Sequence, residues 1–118
     1  MKIKIAIVGS RGIQFRNFEM YLPENTTEIL SGGAKGIDTC AKEFAQKHQI
    51  PYTEYLPEYH RFGRAAPIKR NDQLIVAADM VLIFWDGISK GTQYVIDRCE
   101  KQNKNHQVIC FSQQVNNT

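Results

Sequence analysis

Apolar residues in this chain fall into short runs that alternate with stretches of three- and four-residue spacing, which is how strands and helices read when they are taken in turn. Ile3, Ile5, Ala6, Ile7 and Val8 form a nearly continuous run closed by Gly9, as a parallel strand covered on both faces requires. Phe15, Phe18, Tyr21 and Leu22 recur at helical spacing as far as Pro23, which predicts a first helix. Residues 28–30 then predict a brief second strand, closed by Ser31-Gly32-Gly33. Over 36–48, Ile37, Cys40, Ala41, Phe44 and Ala45 share one face while Lys42, Glu43, Gln46 and Lys47 share the other, the clearest helix in the chain. Ile50-Pro51 breaks it. Residues 52–56 predict a third strand, and 57–63 an aromatic and basic loop. Pro67 suits the first turn of a third helix whose face carries Ile68, Asn71, Leu74, Ile75 and Ala78. The most apolar run, Met80 to Trp85, predicts the central strand; a helix over 91–103 and a last strand over 107–111 complete the series.

Strands alternating with helices imply right-handed crossovers and an α/β fold. The expectation is a single Rossmann-like, doubly wound domain over 1–112, with about five mostly parallel strands, helices on both faces, and a flexible tail over 113–118. Ligands of such sheets bind outside the carboxyl ends of the strands, where the strand order reverses. Length and composition agree: 118 residues suit one core, and 42% hydrophobic with 23% charged residues exclude a disordered or fibrous chain. A net charge of +3 favours an anionic small ligand but falls short of a nucleic-acid footprint. Cys40, Cys99 and Cys110 are odd in number and lack C-x-x-C spacing, so reduced, mostly buried thiols in a cytoplasmic protein are expected, without a metal site. His48, His60 and His106, placed on a helix end, a loop and a turn, lack ligand spacing as well. No run approaches the ~18 apolar residues of a membrane span, and no membrane partner is expected.

Glycines gather after the strands, in four loops. The first, Val8-Gly9-Ser10-Arg11-Gly12, offers close backbone approach, a hydroxyl and a guanidinium suited to phosphate, but lacks the G-x-G-x-x-G dinucleotide pattern. In the second, Ser31-Gly32-Gly33-Ala34-Lys35-Gly36-Ile37-Asp38, glycines open the clearest helix, whose free amides and dipole can cradle an anion. Asp38 is read first as a helix cap and second as an acceptor for a ribose hydroxyl. The third places Arg64, Lys69 and Arg70 around a helix start, where cations call for a compensating anion. Asn71 is read equally as a ligand contact and as a tether to loop backbone. The fourth, Asp86-Gly87-Ile88-Ser89-Lys90-Gly91-Thr92, again enters a helix, with Ser89 or Thr92 as the competing cap. Tyr52, Tyr55, Tyr59 and Phe62 read as core or interface before base-stacking platforms.

Taken in order, Val8-Gly9-Ser10-Arg11, Ser31 to Asp38, Phe62 to Asn71, and Asp86-Gly87 with Gly91-Thr92 resemble the YspA-type branch of the SLOG superfamily, which also holds the DprA/Smf proteins and the LOG-type phosphoribohydrolases. The resemblance covers nearly the whole chain and implies a nucleotide pocket lined by Gly9, Ser10, Arg11, Gly32, Gly33, Arg70, Asn71, Gly91 and Thr92, with related domains commonly paired as homodimers or higher oligomers. Ala34, Lys35, Gly36, Asp38, Asp86, Gly87 and Ser89 are added as candidates from their loops. In the LOG-type enzymes a glutamate of the hydrolytic site follows the strand-four Gly-Thr; here Val95 stands at that position, and valine supplies neither acid nor base. The leading expectation is therefore binding or sensing of a nucleotide or ADP-ribose-like molecule rather than turnover, with the ligand itself unspecified. The alternatives are a hydrolase of a nucleotide N-glycosidic or phosphate bond using Asp86 or Asp38, and a DprA-like single-strand DNA binder using Arg61, Arg64, Lys69 and Arg70, which the small net charge disfavours.

Overall fold

A computed structural model describes residues 2–111 of the chain. The expectations for a tail beyond them lie outside the described residues. Five strands, β1 (Lys4–Gly9), β2 (Glu28–Ser31), β3 (Tyr52–Glu54), β4 (Met80–Trp85) and β5 (His106–Cys110), form one sheet in the order β3-β2-β1-β4-β5, with every neighbouring pair parallel. The helices are α1 (Ile37–Lys47), α2 (Tyr59–Phe62), α3 (Ala66–Ala77) and α4 (Lys90–Lys101). The Rossmann-like α/β architecture is thus present, with β1 in the middle of the sheet and the predicted centre, β4, beside it.

The two faces of the sheet are covered by different segments because the side chains of β1 alternate. Ile5 and Ile7 point into a core with Ile37, Cys40, Ala41 and Phe44 of α1, while Ala6 and Val8 point into a second core with Leu74 and Ile75 of α3 and Val95, Ile96 and Cys99 of α4. Each fully buried isoleucine contributes roughly 1.5–3 kcal/mol relative to an exposed one. Tyr94 donates a hydrogen bond to Asp72 at 2.8 Å, which ties α4 to α3 on the second face.

The predicted first helix is absent. The crossover from β1 to β2 holds a single 3-10 turn, Phe18–Met20, flanked by irregular chain. Phe15, Phe18 and Tyr21 nevertheless keep a common side, and they gather around Phe84 of β4 at ring separations of 5.2, 5.4 and 5.9 Å. A spacing of three serves a 3-10 turn as well as it serves an α-helix. Eight residues rich in aromatics are too few and too weakly helical to hold an α-helix against that packing, and Asn17 makes no side-chain cap.

Smaller differences have equally local causes. The predicted loop over 57–63 contains the short α2, which leads into a 3-10 turn at Gly63–Ala65, so His60 is helical; His106 opens β5 instead of standing in a turn. The third strand stops at Glu54, short of the predicted 56. Ile68 is exposed rather than packed with Leu74 and Ile75. Pro67 does sit in the first turn of α3. Cys40 and Cys99 are buried and reduced, and burial pushes the Cys99 thiol up to about 11; Cys110, on the edge strand β5, is exposed. No helix among the described residues is long and apolar enough to cross a membrane.

Candidate functional site

The order β3-β2-β1-β4-β5 places the reversal of direction between β1 and β4, and a cleft of about 380 Å³ opens beyond their carboxyl ends. All four loops reach it. The first supplies Val8, Gly9, Ser10, Arg11 and Gly12, the second Ala34 and Asp38, the third Pro67, Arg70 and Asn71, and the fourth Ser89, Gly91, Thr92 and Val95.

Ser10 holds the first and fourth loops together. Its backbone N–H donates to the Phe84 carbonyl at 3.0 Å, its hydroxyl accepts from the Asp86 N–H at 3.2 Å, and the same hydroxyl lies 3.4 Å from that of Thr92. Ser10 and Thr92 are both buried. Their hydroxyls brace the start of α4 against the end of β1, so this helix N-terminus, with its positive dipole end, borders the cleft in a defined position.

The glycines of the second loop pack behind the cleft. Gly32, Gly33, Lys35 and Gly36 do not line the cleft. Gly36 has φ of 76°, and a Cβ there would stand 2.3 Å from the Arg11 carbonyl oxygen. At Gly32 a Cβ would meet the Arg70 guanidinium at 2.6 Å and the Asp38 carboxylate at 2.9 Å. These two glycines let the first and third loops close over the start of α1. Lys35 and Gly33 are exposed.

Asp38 caps nothing in its own helix. Its Oδ2 reaches back to accept from the Ala34 N–H at 3.1 Å, and Thr39 donates to the Ala34 carbonyl at 2.9 Å, so the loop and the first turn of α1 interlock. Only 5% of Asp38 is exposed, and Oδ1 is buried without a hydrogen-bond partner. Burial pushes its carboxyl above the usual carboxylate range; the Ala34 amide and the Arg70 charge pull it back in part.

Arg70 answers its position at the start of α3 with oxygen atoms of the protein. Nη1 donates to the Gly32 carbonyl at 2.6 Å and to the Tyr55 carbonyl at 3.4 Å, and Nε donates to Asn71 Oδ1 at 2.9 Å. Burial lowers its pKa, while Asp38 raises it. The predicted tether by Asn71 thus runs to the Arg70 side chain and not to loop backbone. Arg11 is exposed at the cleft. Arg61, Arg64 and Lys69 are exposed too, with Arg61 4.8 Å from the Phe62 ring centre and paired with Glu58 at 3.8 Å. None of those three lines the cleft.

The predicted acid of the fourth loop is also engaged elsewhere. Asp86 folds over its own turn: Oδ1 accepts from the Ile88 and Ser89 N–H groups at 2.9 and 2.8 Å, and Oδ2 from the Ser89 hydroxyl at 2.8 Å. Burial opposes its charge, but those donors outweigh it and hold the carboxyl at about 2. Neither Asp86 nor Gly87 lines the cleft. Ser89 occupies the N-cap position of α4 without a capping hydrogen bond, because its hydroxyl has turned to Asp86.

Val95, only 2% exposed, lines the cleft with an apolar side chain. Gly12, expected with Gly9 to allow close backbone approach, lines it; Val8 and Pro67 also line it without having been singled out as contacts, their signal being adjacency to residues that were. A second hollow of about 410 Å³ is lined by Arg16, Glu43, Phe44 and His48, and there Arg16 and Glu43 pair with each other at 3.3 Å. Among the described residues no group of three or more His, Cys, Asp or Glu side chains is arranged to hold a metal ion.

Fold and cleft together define a Rossmann-like α/β domain with a polar recess at its topological switch. Compared with protein-family models, with curated proteins and with solved structures, the chain gives no match.

Proposed function

We propose that the cleft binds a nucleotide or a nucleotide-derived anion such as an ADP-ribose-like molecule. One observation carries this reading: loops from four separate units meet at a single recess whose charged walls are Arg11 and Arg70 against the lone carboxyl of Asp38. The N-terminal end of α4 adds its partial positive charge, and the volume falls in the range of about 300–1,000 Å³ common to small-molecule sites. The resemblance to the YspA-type branch supports the same class of ligand.

Thermal-shift titration with AMP, ADP-ribose and inorganic phosphate tests the proposal. A ligand at one hundred times its dissociation constant stabilises the fold by about 2.7 kcal/mol. Arg11→Ala is expected to weaken binding on the order of tenfold or more through loss of a charge-assisted contact, with little change in the melting temperature of the free protein because Arg11 is exposed. Failure of every phosphate-bearing nucleotide to stabilise the wild type removes the reading.

Turnover of the bound nucleotide is the second reading, and Asp38 is the carboxyl at the cleft wall that favours it. Product analysis after long incubation is expected to show hydrolysis kept in Asp86→Asn and lost in Asp38→Asn; no product from the wild type removes it.

A further inference from the structure

The Asp38 carboxylate has acceptor capacity that the protein leaves unused. An ionised carboxylate offers about four acceptor sites; here Oδ2 accepts from the Ala34 N–H, the Gly32 amide and the Ser31 hydroxyl stand close enough to favour the charged form, and Oδ1 has no hydrogen-bond partner. The nearest cation interacts with it by charge alone, since the hydrogen bonds of Arg70 Nε and Nη1 go to Asn71, Gly32 and Tyr55 and none goes to Asp38. The carboxyl is nevertheless held in place. The Ala34–Asp38 and Thr39–Ala34 bonds interlock the loop with α1, and the space that a side chain at position 32 would fill is occupied by Arg70 and Asp38 themselves. Asp38 lines the cleft. Oδ1 itself is buried, and the terminal torsion of an aspartate is soft, so a ligand meets it when the carboxyl turns on its fixed backbone.

An anionic group completes this bonding poorly, because its charge repels the carboxylate. The partner has to be a hydrogen-bond donor, and it has to belong to a molecule whose anionic part meets Arg11. A sugar phosphate carries both within one unit. We propose that Asp38 accepts a hydrogen bond from a sugar hydroxyl of the ligand and thereby makes the cleft selective for ribosyl phosphates over bare phosphate. This inference rests on the nucleotide-binding reading given above and specifies which part of the nucleotide is recognised.

The test measures dissociation constants by calorimetry for AMP, for its 2′-deoxy and 3′-deoxy forms, and for inorganic phosphate. With the wild type, loss of the hydroxyl that meets Asp38 is expected to weaken AMP about tenfold or more, a factor that corresponds to about 1.4 kcal/mol. Asp38→Asn keeps an acceptor for the Ala34 N–H and turns an amide NH2 toward the cleft. In that variant the preference among the AMP forms is expected to collapse, while inorganic phosphate binds as well as before or better, because a negative charge has gone. A variant that had merely lost its structure would lose phosphate as well, and the deoxy series on the wild type needs no variant at all. Equal affinities of the wild type for AMP and both deoxy forms overturn the role of Asp38 and leave nucleotide binding standing. No binding of any of these ligands overturns both.

Discussion

Replacing Gly36 by alanine puts a methyl group where the fold has no room for one. The new Cβ would lie 2.3 Å from the Arg11 carbonyl oxygen, 2.6 Å from its carbon and 2.8 Å from the Ser10 carbonyl oxygen, all of them backbone atoms that cannot swing aside. The backbone at Gly36 also has φ of 76° and ψ of −124°, which side chains rarely tolerate. Strain of this kind costs about 1–3 kcal/mol, and forcing packed backbone apart adds a further 1–3 kcal/mol or so. The combined loss of roughly 2–6 kcal/mol lowers the melting temperature of a chain this size by about 4 °C per kcal/mol, so a fall of about 8–24 °C is expected. Thermal and guanidinium unfolding followed by far-UV circular dichroism measure it. Gly91→Ala is the matched comparison: Gly91 lies in α4 with nothing within 4 Å of an added Cβ, and alanine there is expected to stabilise by up to about 1 kcal/mol through helix propensity. A Gly36→Ala protein that melts within about 2 °C of the wild type would mean that the first loop does not close over the start of α1, and the described site would lose its floor.

Three further outcomes follow from the same geometry. Phe18→Ala removes a fully buried ring that packs against Phe15, Phe44 and Phe84; a loss of about 3–5 kcal/mol is expected in denaturant unfolding, whereas an effect below ~1 kcal/mol would show the aromatic crossover to be loosely attached. Asp86→Ala frees the turn that leads into α4, and about 1 kcal/mol is expected to go with it. Because the folded Asp86 carboxyl sits at about 2, below its ordinary value of 3.8, its stabilising effect is present above the ordinary value and is lost as pH falls through about 2; Asp86→Asn should flatten that part of the stability profile. Asp38 has the opposite sign: its folded carboxyl is raised by burial, so it lowers stability as pH rises from its unfolded value through its folded one. Asp38→Asn is expected to melt higher than the wild type at neutral pH, and an unchanged pH profile would show that the buried carboxyl is not charged at a cost.

Much of this architecture was legible because each face of the sheet leaves its own imprint on the chain. Ile5, Ile7 and Val8 could be read as a strand covered on both sides, and the α1 stripe from Ile37 to Ala45 as one helix face, since in both cases burial alone decides the residue type. The meeting of four loops at one cleft followed from topology. What could not be read were contacts between segments far apart in the chain. Phe15, Phe18 and Tyr21 look helical until Phe84 is known to stand among them. Gly32 and Gly36 look like phosphate-binding glycines until Arg70 and Arg11 are seen pressed against them. Asp86 carried a local signal that was available, an aspartate two and three residues before the N–H groups it accepts from, which is a familiar turn in its own right.

The Ser10–Thr92 contact joins residues 82 positions apart, and the middle strand gains its second neighbour only when β4 arrives at the register Ile5 with Met80. Non-local pairing of this kind slows folding, and it means that the recess forms only once β4 and the start of α4 have joined β1. Occupancy of the recess therefore reports on the pairing of β1 with β4: a compound held there should protect the amides of both strands from hydrogen exchange by similar factors, because neither can open without dismantling the place where the compound sits.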